Sequence, residues 1–358
     1  MKVSFFFFIF MIKLNLGGKG MINIDYLNLK QIERNEKPYT LKQLTFDKPM
    51  NDGEYLIDEE GNRIGTKGDF NTKMLIYELL ENGCWDENPR PKYESDGTPA
   101  YTLSENNIVN WTYDISKGEC PLITLRPIAI QKAIGEILWI YQDETCDLDV
   151  LKEKYGVTWW DLWDLKDENG KELRDIGSTY GKIIADYDQV RKLIEGIKKD
   201  PDGRRHIINM WQFEEFEKPH GLKPCAYESH YNIRHGRDGV DYLDMKLVQR
   251  SSDFMVAGCI NQMQYLALMM MVAKATGYTP GTFTWSVTNV HIYDRHIPQA
   301  VELLNREPIL ENGEQPYLEF NTDETDFFKF KHTDFKIKRY ARQLIKDRNP
   351  QQTFDKGV

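Results

Sequence analysis

The chain has 358 residues, 41% hydrophobic and 12% aromatic, which is enough for a sizeable core and excludes a disordered or fibrous protein. Its formal net charge of −10 disfavours a protein that coats nucleic acid, because that activity requires a basic surface. The five cysteines include no C-x-x-C pair, so they indicate neither a disulfide framework nor a zinc site. We therefore expect a cytoplasmic protein without a metal.

The first 20 residues carry the candidate targeting signal. Met1 and Lys2 lead into an apolar run over residues 5–11, which is too short to span a bilayer and lacks the cleavage site of a signal peptide. We interpret residues 1–20 as a signal-like leader or as upstream sequence translated from a misplaced start. Residues 21–69 are polar and rich in turns, and we interpret them as an N-terminal extension of a main domain over residues 70–358.

Helical periodicity predicts the next elements. Asp69 is placed to cap a helix over residues 70–81, which is the first core helix. A buried helix is predicted over residues 128–141, where Glu136 is the single acid in an apolar stripe. Residues 189–199 form an amphipathic pattern that ends at a turn.

After this turn the pattern changes to strands. They are predicted over residues 206–210, 227–234 and 243–249, and a hairpin-like turn separates the last two. A long apolar helix follows over residues 261–275, and a charged tail, residues 336–346, is predicted to be weakly helical or extended. The pattern predicts an α+β fold with one twisted mixed β-sheet packed against helices in a single domain.

Three residues in the strand region suggest chemistry. Cys225 follows a proline directly before a strand, an arrangement that holds a thiol at a defined place on a cavity wall. Arg250 beside Ser251 offers a charged fork and a hydroxyl to a phosphate. Asn261 can donate and accept hydrogen bonds at once, which suits the edge of a pyrimidine. Each residue type alone is more often structural, so the inference depends on their combination.

Taken in order, the blocks around these residues resemble the signature stretches of the thymidylate synthase family. The similarity covers residues 70–296, and residues 95–104 resemble the variant found in some bacilli and their phages. The signature stretches are residues 200–205, 224–225, 249–253, 261 and 291–293. The resemblance implies methylation of dUMP to dTMP by a homodimer, with 5,10-methylenetetrahydrofolate as donor of the one-carbon unit and the hydride. No flavin fingerprint is present in the sequence.

The resemblance also implies a role for individual residues. Cys225 as thiolate attacks carbon 6 of the uracil, and Glu136 and Tyr180 organise the proton transfers. The implied catalytic set is Cys225, Glu136, Tyr180, Asn261 and Asp253. The implied dUMP-binding set is Arg90, Arg250, Ser251, Asn261, His291 and Tyr293, together with Arg204 and Arg205 reaching across a dimer interface. The implied folate-binding set is Asp253, Trp160 and Trp163.

Two stretches depart from the commonest pattern of the family and leave alternatives open. Residues 256–260 differ before Asn261, and the tail over residues 354–358 keeps only Val358 of the usual apolar close. If the site closed poorly, water could replace the hydride, which would make the protein a dUMP hydroxymethylase. A second alternative is a catalytically weak homologue that binds nucleotide or RNA as a regulator. The acidic chain and the complete catalytic set disfavour it.

Overall fold

The computed structural model describes residues 46–357, so the predicted leader and most of the predicted extension lie outside the described residues. The strands are β1 (Leu56–Ile57), β2 (Arg63–Ile64), β3 (Cys84–Trp85), β4 (Thr102–Asp114), β5 (Ile207–Asn209), β6 (Ala226–His235), β7 (Asp241–Asp253), β8 (Thr279–Tyr293), β9 (Tyr317–Phe320) and β10 (Phe335–Lys338). The α-helices are α1 (Lys67–Asn82), α2 (Ile130–Tyr141), α3 (Leu148–Tyr155), α4 (Tyr180–Asp186), α5 (Gln189–Lys199), α6 (Cys259–Thr276), α7 (Ile297–Asn305) and α8 (Arg342–Arg348).

A six-stranded mixed sheet with the order β3-β4-β8-β7-β6-β5 forms the centre of the fold. Its neighbouring strands are antiparallel except for β7 and β8, which run parallel. A parallel pair requires a crossover connection, and the segment that contains α6 provides it. The predicted α+β fold, a mixed sheet packed against helices, is confirmed.

Helix α6 is the centre of the hydrophobic core. Among the residues that the structure describes, the stretch Phe254–Thr276 is long and apolar enough to cross a membrane, but 72% of its most apolar window is buried inside the protein. Met269 and Met271 on this helix are completely buried. The length and the apolar character of the helix are therefore explained by packing between the sheet and α2.

The first core helix begins three residues earlier than predicted, and Asp69 is not its cap. Thr66 is the N-cap: its hydroxyl accepts a hydrogen bond from the backbone N–H of Asp69. The Asp69 carboxylate in turn accepts one from the backbone N–H of Thr66, which completes a capping box. The proposed boundary between extension and main domain falls inside this helix, and the division itself stays a prediction.

Other predicted boundaries fit to different degrees. The amphipathic helix α5 has the predicted bounds, whereas α2 begins at Ile130 rather than at residue 128. Strand β7 is longer than predicted and reaches Asp253, because it pairs with β6 and β8 on its two sides. A π-helical turn, Phe254–Gly258, then leads into α6. The tail forms both β10 and α8, and the long strands β4 and β8 were not predicted.

Candidate active site

A cavity of about 850 Å³ lies between α2, α6 and the segment that leads into β6. Its size is within the range of small-molecule sites in proteins. Six residues of the predicted site line it: Glu136, Trp160, Trp163, Tyr180, Cys225 and Asn261. The fold thus brings residues from five separate stretches of the chain to the same cavity.

The backbone around Cys225 is held on two sides. Its N–H donates a hydrogen bond to the hydroxyl oxygen of Tyr180 (3.1 Å), and its carbonyl accepts one from the backbone N–H of Arg250 (2.8 Å). The Arg250 guanidinium donates to the carbonyls of Pro224 (3.0 Å) and Lys223 (2.9 Å). Arg250 therefore fixes the segment that carries the thiol.

Opposing effects act on the Cys225 thiol. Burial raises its pKa above the ordinary value, because a thiolate loses solvation in the cavity wall. The positive charges of Arg250 and Arg90 oppose this rise, as does a hydrogen bond with Tyr180. The two arginines thus reduce the effect of burial on the thiol without outweighing it.

Tyr180 begins α4 with an unusual backbone conformation. Its φ of 33° is positive, which is uncommon for a residue with a bulky side chain. The ring is buried and lies edge-on to Trp160, with ring centroids 4.9 Å apart. Burial raises the pKa of the phenol well above its ordinary value, so the hydroxyl keeps its proton at neutral pH.

Glu136 is a buried carboxyl group on the inner face of α2. Burial raises its pKa to about 7, and a hydrogen bond donated by the Trp159 indole opposes this rise. A carboxyl group with this pKa can both donate and accept a proton near neutrality. Glu136 is therefore suited to proton transfer.

The side-chain amide of Asn261 is oriented by two glutamines. The side chain of Gln249 donates a hydrogen bond to Oδ1 of Asn261 (3.0 Å), and Nδ2 of Asn261 donates one to Oε1 of Gln264 (2.8 Å). Gln249 is itself oriented by the indole N–H of Trp285 (2.8 Å). One amide hydrogen and one lone pair of Asn261 remain to read a ligand edge.

Three other predicted residues lie at the carboxyl ends of β7 and β8. Asp253 is opposite His291 in the parallel register, and the His291 and Tyr293 rings are 5.3 Å apart between centroids. Burial lowers the pKa of His291, and burial raises the pKa of Tyr293. Asp253, His291 and Tyr293 are not part of the cavity lining and lie next to the C-terminal tail. Ser251 is opposite Asn289 on the same pair of strands.

The predicted arginines occupy different surroundings. Arg90 is exposed, yet its charge acts on the Cys225 thiol. Arg204 and Arg205 are exposed on the turn before β5, and the Arg205 side chain is 88% accessible. Neither contributes to the cavity wall of its own chain in the described part.

Sequence reasoning missed the residues that orient the site. The indole of Trp159 donates a hydrogen bond to Glu136, and Asn261 forms hydrogen bonds with Gln249 and Gln264. The cavity is also lined by two residues of the tail, Phe354 and Lys356. A signal existed for Gln264, which is three positions from Asn261 and so on the same helix face. Within residues 46–357, no group of three or more His, Cys, Asp or Glu side chains is placed to hold a metal ion.

The fold and the cavity bring a cysteine thiol, a carboxyl group with a raised pKa and an oriented amide to one place, which is the arrangement of an enzyme active site. The thymidylate synthase family model matches residues 72–347. Thymidylate synthase from Lactococcus lactis is 43% identical over 287 residues, which cover 80% of this chain and 97% of the relative. That of Streptococcus thermophilus is 44% identical over 278 residues, 77% of this chain and 95% of the relative.

A solved structure gives the same result. Thermostable thymidylate synthase A from Bacillus subtilis superposes with a TM-score of 0.70 at 32% identity, covering 81% of this chain and 99% of that chain. The chain belongs to the thymidylate synthase family. Its activity is the methylation of dUMP to dTMP, and the hydroxymethylase and regulator alternatives are not favoured.

Proposed function

We propose that the cavity around Cys225 is where dUMP is methylated, with Cys225 as the nucleophile. The observation that carries this proposal is that Cys225, Glu136, Tyr180 and Asn261 line one cavity, although they come from distant parts of the chain. Each residue has a chemical property that the reaction needs.

The Cys225 thiolate forms a bond to carbon 6 of the uracil, and the electron pair of the 5,6 double bond moves to carbon 5 and the adjacent carbonyl. Carbon 5 then becomes nucleophilic, which an unactivated uracil carbon is not. The co-substrate 5,10-methylenetetrahydrofolate supplies the one-carbon unit and the hydride when it is bound. Glu136 and Tyr180 assist as carbon 5 loses its proton, and the sulfur leaves carbon 6 as the double bond reforms.

Nucleotide binding is assigned to charged and polar groups around the thiol. The charges of Arg250 and Arg90 act on the Cys225 thiol. We assign these two arginines, together with Ser251, to the phosphate. Asn261 binds the uracil amide edge with its free hydrogen and lone pair, and His291 and Tyr293 bind the sugar hydroxyl. An amide at position 261 favours uracil, because a carboxylate would pair better with the amino group of cytosine.

The remaining part of the cavity suits the folate. Trp160 and Trp163, with ring centroids 5.4 Å apart, and Phe354 offer aromatic surface to a flat ring system. The buried indole N–H of Trp160 lies beside the Glu136 carboxyl group and opposes the rise of its pKa, so this part of the cavity also has a polar edge. Asp253 is assigned to the pterin ring. The residues present therefore fit the group.

The proposed enzyme is a cytoplasmic homodimer. Arg204 and Arg205 are exposed and lie away from their own cavity, so we assign them to the phosphate in the partner subunit. In this arrangement each active site is complete only in the dimer.

The test is dihydrofolate formation by the purified protein from dUMP and methylenetetrahydrofolate, followed by its near-ultraviolet absorbance. Cys225→Ser should abolish the signal. Cys84→Ser, at an exposed cysteine, is the matched control and should retain it. Consumption of folate without dihydrofolate would instead indicate hydroxymethylation, because only hydride transfer oxidises the folate.

A further inference from the structure

The C-terminal tail, defined here as residues 351–357, forms part of the cavity wall. Phe354 and Lys356 line the cavity. The Phe354 ring lies against the buried ring of His296, with centroids 5.0 Å apart, and the His296 Nε2 is 2.6 Å from the carbonyl oxygen of Asp355. These contacts dock the tail on the body of the protein.

The loop of residues 93–98 binds the other side of this tail. The backbone N–H of Glu94 donates to the carbonyl of Lys356 (2.9 Å), and Tyr93 forms a β-bridge with Gly357. The Ser95 hydroxyl donates to the Asp355 carboxylate (2.6 Å). The tail therefore adds a short strand-like contact to the loop.

Arg295 joins the loop and the tail. Its Nη1 donates to the Asp355 carboxylate (2.6 Å), and its Nη2 donates to the Asp96 carboxylate (2.7 Å) and to the Thr98 hydroxyl (2.8 Å). The guanidinium carbon lies 3.9 Å from the centroid of the Tyr93 ring. Charge-assisted hydrogen bonds of this kind are stronger than neutral ones and fix geometry.

The position of the tail also depends on close packing at Gly357. A Cβ at this residue would lie 2.6 Å from Cζ of the Tyr293 ring, which is closer than real Cβ contacts. Only glycine allows the tail backbone to approach this ring. The backbone of Gly357 and the side chain of Asp355 therefore provide two independent anchors for the tail.

We propose that Arg295 is a positioning residue that clamps the C-terminal tail to the loop of residues 93–98 and so holds Phe354 and Lys356 in the wall of the folate part of the cavity. This inference rests on the proposed function. A clamp that restricts the tail lowers the ordering cost of binding the co-substrate.

The test compares Asp355→Asn and Arg295→Met with Asp52→Asn as the matched control. Asp52 forms an ion pair with Arg63 of the same length, 2.6 Å, at a distant surface site. The clamp variants should raise KM for methylenetetrahydrofolate about five- to tenfold, and KM for dUMP much less. Asp355→Glu should raise the folate KM less than Asp355→Asn does. Gly357→Ala disturbs the second anchor and should also raise the folate KM.

Hydrogen–deuterium exchange of the tail amides gives a readout that needs no turnover. Residues 351–357 should be protected in the wild type and in Asp52→Asn, and should exchange faster in the clamp variants. Unchanged exchange would overturn the clamp, and faster exchange with an unchanged folate KM would overturn its positioning role. If the proposed function were wrong, the wild type would be inactive while its tail remained protected.

Discussion

The hydroxyl of Tyr180 accepts a hydrogen bond from the backbone N–H of Cys225 over 3.1 Å, so the start of helix α4 is tied directly to the proposed nucleophile. The edge-on contact with Trp160 holds the phenol in place, and the surrounding packing maintains the strained φ of 33° at Tyr180. The same hydroxyl also lowers the pKa of the thiol by hydrogen bonding, against the larger effect of burial. One side chain thus acts on both the position and the charge of Cys225.

Tyr180→Phe should lower kcat/KM for thymidylate formation by about tenfold or more, because a hydrogen bond to a charged group contributes about 1.5–3 kcal/mol. Steady-state kinetics and the pH dependence of Cys225 alkylation measure the loss. Tyr242→Phe, which removes a surface hydroxyl that is hydrogen-bonded to Asp238, is the control, and its kcat/KM should equal that of the wild type. Equal activity of the Tyr180 variant and the wild type would contradict a role for the phenol.

Glu136→Gln should stabilise the protein above pH 7 and leave its stability unchanged below about pH 4.5. The folded pKa of Glu136 is about 7, against an ordinary value of 4.5, so the folded state keeps a proton that the unfolded state releases in this interval. Stability therefore falls as the pH rises from 4.5 to 7, and glutamine removes a penalty of about 3 kcal/mol.

Urea unfolding at pH 4.5 and pH 8 measures this difference. Glu81→Gln, at an exposed position at the end of α1, keeps Glu136 and should have the same stability as the wild type at both pH values. The Glu136 variant should also lose most of its activity, since glutamine cannot transfer a proton. A variant that is less stable than the wild type at pH 8 would refute the assignment of a raised pKa.

Arg250→Gln should raise the pKa of the Cys225 thiol, because its charge opposes the effect of burial. Arg250→Lys keeps the charge but loses the forked bonds to the carbonyls of Lys223 and Pro224. The pH midpoint of iodoacetamide alkylation should therefore rise more for the glutamine than for the lysine. Arg237→Gln on the exposed hairpin turn is the control. Identical midpoints for all variants would exclude electrostatic activation by Arg250.

Mixing subunits tests whether Arg205 acts across the dimer. Cys225→Ser and Arg205→Ala homodimers should both be impaired, whereas a random mixture should regain roughly a quarter of the wild-type activity, because half of the dimers then hold one complete site. If Arg205 acted within its own chain, every site in the mixture would carry one defect. No recovery after verified subunit exchange would therefore place Arg205 outside the partner's site.

Local patterns predicted helices better than strands. The helix α5 was predicted with its observed bounds, because its apolar residues recur at helical spacing between clear ends. The start of α1 was misplaced because its capping box has Asp69 where glutamate or glutamine is more common. Strand β8 was missed although Phe283, Trp285 and Val287 alternate with polar residues, so a period-two signal was present.

The sequence singled out only residues that themselves carry recognisable chemistry. Cys225, Glu136 and Asn261 were found by residue type and resemblance, and they share the cavity. Their supporting contacts were not found, because Trp159 lies 23 residues from Glu136 along the chain and meets it only through tertiary packing. The sequence analysis treated residues 354–358 as the stretch that closes the site, but the contacts that dock the tail were missed for the same reason. Its contacts with Arg295 and the loop of residues 93–98 join distant parts of the sequence.

The most direct test of the central claim is tritium release from carbon 5 of labelled dUMP in the presence of methylenetetrahydrofolate. The wild type and Cys84→Ser should release one tritium for each dihydrofolate formed, and Cys225→Ser should release none, because carbon 5 loses its proton only after the thiolate has attacked carbon 6. Tritium release that persists in Cys225→Ser would contradict Cys225 as the nucleophile.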